Sequence, residues 1–197
     1  MIQSKNSKKL IAVIGSRSLP KSYQKQVTKV VKDLLSRGYA ITSGGARGAD
    51  LFALKSLVQS DACTGSKIFL PCQKIEQTPS ECRYWLKRFQ DQSGKIIFGP
   101  ASSKSKRSEF IHALFLRSKK LVEHSSGIVA FISGKSRGSW FTISYAVSKG
   151  IPVVVIPVNG SSELKNIGSG RWVPLRCWIG AFRWIPENRR GGETNEN

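Results

Sequence analysis

Residues 41–50 read Ile41-Thr42-Ser43-Gly44-Gly45-Ala46-Arg47-Gly48-Ala49-Asp50. An apolar run ends at Ile41, three glycines fall within five residues, and apolar residues then recur at helical spacing. A strand followed by a glycine-rich loop and a helix N-terminus is suited to hold a phosphate, because the backbone approaches closely and free N–H groups point at the anion. Arg47 adds a permanent charge in a planar fork that fits phosphate. The pattern favours an anion site, and the alternative is a tight turn that binds nothing.

Two further loops combine glycine, serine and basic residues, and each follows an apolar run. Gly15-Ser16-Arg17-Ser18 comes after the run 10–14, and Ser133-Gly134-Lys135-Ser136-Arg137-Gly138-Ser139 comes after the run 128–132. Apolar runs and helical patterns alternate at least four times along the chain, which predicts an α/β fold. We expect a Rossmann-like open, mostly parallel sheet with helices on both faces. Because ligands bind at the carboxyl ends of the strands in such sheets, the three loops predict an anion-binding cleft.

A helical pattern over 109–122 supplies a fourth basic cluster. It predicts that Phe110, Ala113, Leu114 and Leu121 point inward. Near its end stand Arg117, Lys119 and Lys120. These cations either contact phosphate or form a solvated helix C-terminus that complements the helix dipole.

The charge of the chain indicates its class of partner. The 197 residues include 32 Lys and Arg against 12 Asp and Glu, for a formal net charge of +20. Such an excess favours a polyanion, with nucleic acid ahead of an anionic membrane surface. The alternative is a basic protein with a general counterion atmosphere. The longest apolar run, 151–158, is too short to span a bilayer.

Metal and cofactor motifs are missing from the sequence. Four cysteines form no CxxC pair and only two histidines accompany them, a pattern that does not resemble a zinc site. The loop that begins at Gly15 lacks the GxGxxG spacing of dinucleotide sites. Val129 stands where a Walker A motif ending in Gly134-Lys135-Ser136 needs a glycine. We therefore expect no cofactor and no metal. Without a recognisable secretory signal, a reduced cytoplasmic compartment is the simpler expectation.

The chain divides into four predicted segments. Residues 1–9 form a basic flexible arm, 10–158 the Rossmann domain, 159–186 a linker with a Trp- and Arg-rich extension, and 187–197 a disordered tail. The even spacing of Trp172, Trp178 and Trp184 predicts that all three share one face of an extended strand, and a hairpin near 179–180 is also compatible. Tryptophans interleaved with arginines either stack on single-stranded nucleic acid or cover an edge or face of the main sheet.

Taken in order, three motifs resemble the SLOG superfamily. They are Ile-Ala-Val-Ile-Gly-Ser-Arg at 11–17, Thr-Ser-Gly-Gly-Ala-Arg-Gly-Ala-Asp at 42–50, and Ser-Arg-Gly-Ser-Trp-Phe-Thr-Ile-Ser-Tyr-Ala at 136–146. The nearest resemblance is to DNA-processing protein A (DprA/Smf) and YspA-like SLOG domains, with Arg117-Ser118-Lys119 standing where that family has an Arg-Asn-Arg motif. The resemblance implies a DNA-processing or recombination role, in which these loops bind single-stranded DNA. It implies contacts to the strand for Arg17, Arg47, Arg117 and Lys119. With the loop residues, the predicted phosphate-binding residues are Gly15, Ser16, Arg17, Ser43, Gly44, Gly45, Arg47, Gly48, Asp50, Arg117, Lys119, Lys135, Arg137, Gly138 and Ser139.

Two alternatives come from the same superfamily. The cleft could take a free nucleotide or nucleotide derivative as a sensor, or it could hydrolyse one as the LOG phosphoribohydrolases do. The catalytic glutamate of those enzymes falls on Thr142 here, and a neutral hydroxyl cannot replace a carboxylate as a base. We therefore expect a binding protein rather than an enzyme, with no catalytic residue assigned. By analogy with such folds, a homodimer is also expected.

Overall fold

One eight-stranded sheet with helices on both faces makes up the protein, seen here in a computed structural model that describes residues 8–187. The strands are β1 (Leu10–Gly15), β2 (Ala40–Ser43), β3 (Lys67–Phe69), β4 (Lys95–Ile97), β5 (Gly127–Ile132), β6 (Val153–Pro157), β7 (Gly170–Leu175) and β8 (Ala181–Pro186). The α-helices are α1 (Gln24–Ser36), α2 (Ala49–Gln59), α3 (Ser80–Asp91), α4 (Arg107–Glu123) and α5 (Arg137–Ser148).

The strand order is β4-β3-β2-β1-β5-β6-β8-β7, and the first six strands are parallel. β1 and β5 are buried along nearly their whole length, as expected for central strands covered on both faces. One apolar core lies between the sheet and α1, α2 and α3, and a second lies between the sheet and α4 and α5. The predicted open, mostly parallel sheet with helices on both faces is confirmed.

The Trp-rich extension completes the sheet. β8 pairs antiparallel with both β6 and β7, so the extension adds two strands to the domain. Trp184 is 5% exposed and packs in the second core, and its cross-strand neighbour Trp172 packs against the same core. The interpretation of the tryptophans as cover for the sheet is therefore confirmed.

The prediction that all three tryptophans share one strand face is wrong for Trp178. This residue lies in the loop between β7 and β8, where the strand alternation no longer applies. Its side chain is buried in the first core, and its indole N–H donates a hydrogen bond to Asp33 Oδ2 on α1 at 3.0 Å. The hairpin is thereby anchored to a helix on the opposite face of the sheet from Trp184.

Of three further sequence predictions, one is wrong and two concern segments that lie wholly or mostly outside residues 8–187. Phe110 was predicted to point inward but is 38% exposed, whereas Ala113 and Leu121 are buried. The proposed disordered tail beyond Glu187, and residues 1–7 of the proposed arm, lie outside the described residues. None of the helices within 8–187 has the length and apolar character needed to cross a membrane.

Candidate functional site

The sheet has one switch point, between β1 and β5. From β1 the chain builds outward through β2, β3 and β4, and it then returns to place β5 and β6 on the other side of β1. A crevice opens at the carboxyl ends of the strands where the strand order reverses in this way. The first and third basic loops, 15–18 and 133–136, both lie at this crevice because they follow β1 and β5.

Ser16 fastens these two loops together. Its backbone N–H donates to the carbonyl of Phe131 at 2.9 Å, and its hydroxyl accepts a hydrogen bond from the N–H of Ser133 at 2.7 Å. The Ser16 side chain is buried, so its donors and acceptors serve the protein and not the solvent. The loop after β1 therefore has a fixed position relative to β5.

The glycine-rich segment 43–50 is held against the same loop. The N–H of Ala49 donates to the carbonyl of Ser16 at 3.3 Å. Gly48 has a φ of +69°, and a Cβ there would overlap that same carbonyl oxygen. Glycine is required at this position for both its backbone conformation and the close approach. The Ser43 hydroxyl donates to the carbonyl of Val13 at 2.7 Å, which ties β2 to β1.

A buried ion pair lies at the base of the crevice. Asp50, in the first turn of α2, faces Arg117 from the middle of α4, with 3.7 Å between Oδ2 and Nη1. Asp50 Oδ2 also accepts a hydrogen bond from the N–H of Ala46 at 3.4 Å. Burial raises the pKa of Asp50, and the Arg117 charge opposes that shift. The pair therefore joins the start of α2 to α4, which packs on the other face of the sheet.

The crevice has a volume of about 410 Å³ and a mixed lining. Arg17 and Arg137 are exposed at its rim, and Arg117 lies at its base. One wall is apolar, formed by Ile111, Leu114, Phe115, Leu121 and Phe141. The crevice thus combines fixed positive charges with an aromatic surface.

The structure brings seven of the fifteen sequence-predicted residues to the lining of this crevice, namely Gly15, Arg17, Asp50, Arg117, Arg137, Gly138 and Ser139. Ser16, Ser43, Gly44, Gly45 and Gly48 are buried beneath or beside it and shape its loops. Lys135 is exposed in the loop after β5.

Arg47 and Lys119 point elsewhere. Arg47 Nε lies 2.7 Å from Glu81 Oε1 on α3, with both side chains about half exposed. Lys119 follows Arg117 by two residues and so leaves α4 in a different direction. Its ammonium lies 5.7 Å from the centre of the Tyr145 ring. Neither residue lines the crevice in this structure.

Sequence reasoning missed the apolar wall. Phe115, which is 40% exposed, and Ile111, which is 43% exposed, lie beside the stripe that was predicted to be inward. Phe115 packs edge-on against Phe141, with 4.5 Å between ring centres. The available signal was the occurrence of aromatic residues on the helix that also carries Arg117.

The Asp50 carboxylate and the Thr142 hydroxyl at the crevice both contact other groups of the protein. Asp50 is the carboxylate among the lining residues, and it faces Arg117. Thr142 is buried, and its hydroxyl donates to the carbonyl of Gly138 at 3.1 Å. Within residues 8–187, no three His, Cys, Asp or Glu side chains come close enough to share a metal ion.

The fold and its switch-point crevice define a Rossmann-like α/β protein. The chain belongs to the DNA recombination-mediator protein A family, whose model matches residues 2–171. Comparison with curated proteins by sequence gave no match.

Solved structures share the fold. DNA processing protein A from Helicobacter pylori, described with a single-stranded DNA binding mode, superimposes with a TM-score of 0.60 at 21% identity, over 77% of this chain and 66% of that one. The Streptococcus pneumoniae protein gives 0.56 at 25% identity, over 76% and 50%. The molybdenum cofactor carrier protein from Chlamydomonas reinhardtii gives 0.51 at 17% identity, over 75% and 76%. The match therefore spans 66% and 50% of the lengths of the two DNA-processing proteins.

Proposed function

We propose that the protein binds single-stranded DNA in the crevice between β1 and β5. Arg17 and Arg137 contact the phosphates, and Phe115 offers a surface for a base. The observation that carries the proposal is that two exposed arginines, one in the loop after β1 and one at the start of α5, line the same crevice as an exposed aromatic ring. Single-stranded nucleic acid is bound by this combination of a basic groove and aromatic platforms.

Family and charge support this ligand. The chain belongs to a DNA recombination-mediator family, and a related protein is described with a single-stranded DNA binding mode. A net charge of +20 is far more than one mononucleotide requires. Phosphate contacts carry little sequence information, so binding should depend weakly on sequence and strongly on salt.

Hydrogen bonds within the protein hold the loop that carries Arg17 in a fixed position. The Ser16 hydrogen bonds fix the loop that carries Arg17 relative to the strand that precedes Arg137. Arg117 is buried against Asp50 and acts from the base of the crevice. In this proposal, the buried loop residues Gly44, Gly45 and Gly48 position the backbone and contact no phosphate directly.

The test is a fluorescence-anisotropy titration of labelled oligothymidylate at about 50 and 200 mM salt. We expect Arg17→Ala and Arg137→Ala to weaken binding, and each to reduce the slope of log K against log salt by about 0.7. Arg37→Ala is the matched control, because Arg37 is exposed after α1, at the opposite edge of the sheet. Equal losses in all three variants would refute a localised site.

A free nucleotide is the second candidate ligand, because the crevice has the volume of a small-molecule site. About 410 Å³ lies in the range of small-molecule pockets, roughly 300–1,000 Å³. A mononucleotide added to the titration distinguishes the two ligands. Displacement of the oligonucleotide by the mononucleotide at a similar affinity would favour the nucleotide, whereas no displacement would favour the strand.

A further inference from the structure

We infer that the bound strand continues out of the crevice over the surface where α4 packs against α5, and that Lys119 and Lys149 receive its next phosphates there. This inference rests on the proposed function, since it extends the same binding site. It gives the site a second, sequence-independent portion outside the crevice. Lys119 belongs to α4 and Lys149 directly follows the end of α5, and one tyrosine lies close to both.

Aromatic rings connect the crevice to this second portion. Phe115 and Phe141 line the crevice and pack edge to face. Phe141 is parallel to Tyr145, one helical turn further along α5, with 6.4 Å between ring centres. The row therefore begins at the carboxyl edge of the sheet and leads away from it along the outer surface of the helix layer.

Tyr145 gathers two cations at the far end of the row. Lys119 Nζ lies 5.7 Å and Lys149 Nζ lies 5.5 Å from the centre of its ring. The Tyr145 hydroxyl donates to Glu123 Oε1 at 2.8 Å, which fixes the ring. Cation–π attraction holds each ammonium near the ring while its N–H groups remain available to an anion. Both lysines are exposed.

Charge selects a nucleic-acid strand as the occupant. α4 exposes apolar surface at Phe110, Ile111 and Phe115, with exposed fractions of 38%, 43% and 40%. A second copy of the chain docked on this face would bring its own lysines and its own net charge of +20 against the first. A single strand offers bases for the aromatic surface and phosphates for the lysines.

The experiment compares two oligothymidylates of about 4 and about 16 nucleotides, which bracket the usual site sizes of single-strand binding folds. The variant is Lys119→Ala/Lys149→Ala. The control is Lys29→Ala/Lys32→Ala, which removes two exposed charges from α1 on the other face of the sheet. We expect unchanged binding of the short strand, severalfold weaker binding of the long strand, and a salt slope for the long strand that is smaller by about 1.4.

Three outcomes would overturn the inference. Equal weakening by the control variant would indicate a general charge effect, and equal weakening for both lengths would place the lysines in the crevice itself. Analytical ultracentrifugation supplies the third outcome. If the wild type is a dimer, and Phe110→Ser is a monomer that binds the long strand as tightly as the wild type does, the face serves self-association. Failure of the proposed function is distinct, because the wild type would then bind neither length.

Discussion

The carboxylate of Asp50 lies 3.7 Å from the guanidinium of Arg117, and the two side chains are only 4% and 11% exposed. The pair links the first turn of α2 to the middle of α4, on opposite faces of the sheet. Arg117 Nε has no hydrogen-bond partner among the described residues. Asp50 is therefore the main compensation for a buried positive charge.

Replacing Asp50 by Asn should strongly destabilise the protein. The substitution keeps the shape of the side chain but leaves the Arg117 charge without a counterion. Breaking a buried pair by removing one partner typically costs about 3–5 kcal/mol. The measurement is the free energy of unfolding in urea.

The exposed pair between Lys87 and Glu76 provides the comparison for Asp50→Asn. Its side chains are 61% and 64% exposed, so Glu76→Gln should leave the free energy of unfolding almost unchanged. Similar losses in the two variants would show that burial does not set the strength of the Asp50–Arg117 interaction.

Gly44→Ala tests how closely the loop and the ion pair are packed. A Cβ at Gly44 would overlap the Arg117 guanidinium and lie 2.6 Å from Asp50 Oδ2. We expect a large fall in melting temperature, because both atoms belong to the buried pair. Gly138→Ala is the control, since its Cβ would meet nothing within 4 Å at the start of α5. That change should be neutral or stabilise by up to about 1 kcal/mol, and a comparable fall in both variants would contradict the prediction.

The cysteines should differ sharply in reactivity. Cys177 is exposed, whereas Cys63, Cys72 and Cys82 are buried. Burial raises the pKa of Cys63 to about 12 and that of Cys82 to about 11. A disulfide reagent at about pH 8 should modify one thiol in the folded protein and none in Cys177→Ser, because the thiolate is the reactive form. Rapid reaction of Cys177→Ser would show that the core opens readily.

Alkaline pH should weaken the fold through the same thiols. Unfolded cysteines lose their protons near the ordinary pKa of 9.0, while the folded protein retains them to higher pH. Between these values the folded state binds more protons, so its free energy of unfolding falls as pH rises above about 9. Urea titrations from pH 8 to about 10 measure this fall. It should be smaller in Cys63→Ala, compared at each pH with the same variant at pH 8.

Alternating apolar runs and glycine-rich loops were sufficient to predict the central sheet and the edge that carries the crevice. Strand pairing brings the loops after Gly15 and Ile132 together because β1 and β5 are neighbours. Residue roles within the loops were less predictable. Ser16 and Ser43 direct their hydroxyls to backbone carbonyls across the sheet, and those contacts depend on tertiary structure.

Side-chain positions in α4 and in the Trp-rich extension were also only partly predictable from the sequence. Periodicity identified α4 but not which edge of its stripe would remain open, so Phe110 was assigned to the core and Phe115 was missed as part of the crevice. The hairpin reverses the chain between Trp172 and Trp184, which brings them side by side and sends Trp178 to the other face. Spacing along one strand could not represent that reversal.

Releasing Arg47 from Glu81 should strengthen DNA binding, because it frees a guanidinium one residue away from the crevice lining. Its loop neighbour Ala46 lines the crevice, but the Arg47 side chain pairs with α3 at 2.7 Å. Glu81→Gln removes the competing carboxylate at a stability cost of at most about 1 kcal/mol, because the pair is half exposed. In the anisotropy titration, affinity should rise and the salt slope should steepen by about 0.7.

Glu76→Gln controls for the change in net charge, since it removes one exposed carboxylate from the Lys87 pair instead. Arg47→Ala should weaken DNA binding without unfolding the protein. The double variant Arg47→Ala/Glu81→Gln should bind DNA no more tightly than Arg47→Ala alone. If Glu81→Gln and Glu76→Gln raise affinity equally, the gain comes from net charge alone. If Arg47→Ala also binds as tightly as the wild type, Arg47 serves to hold α3 against the loop, and the phosphate contacts belong to Arg17 and Arg137.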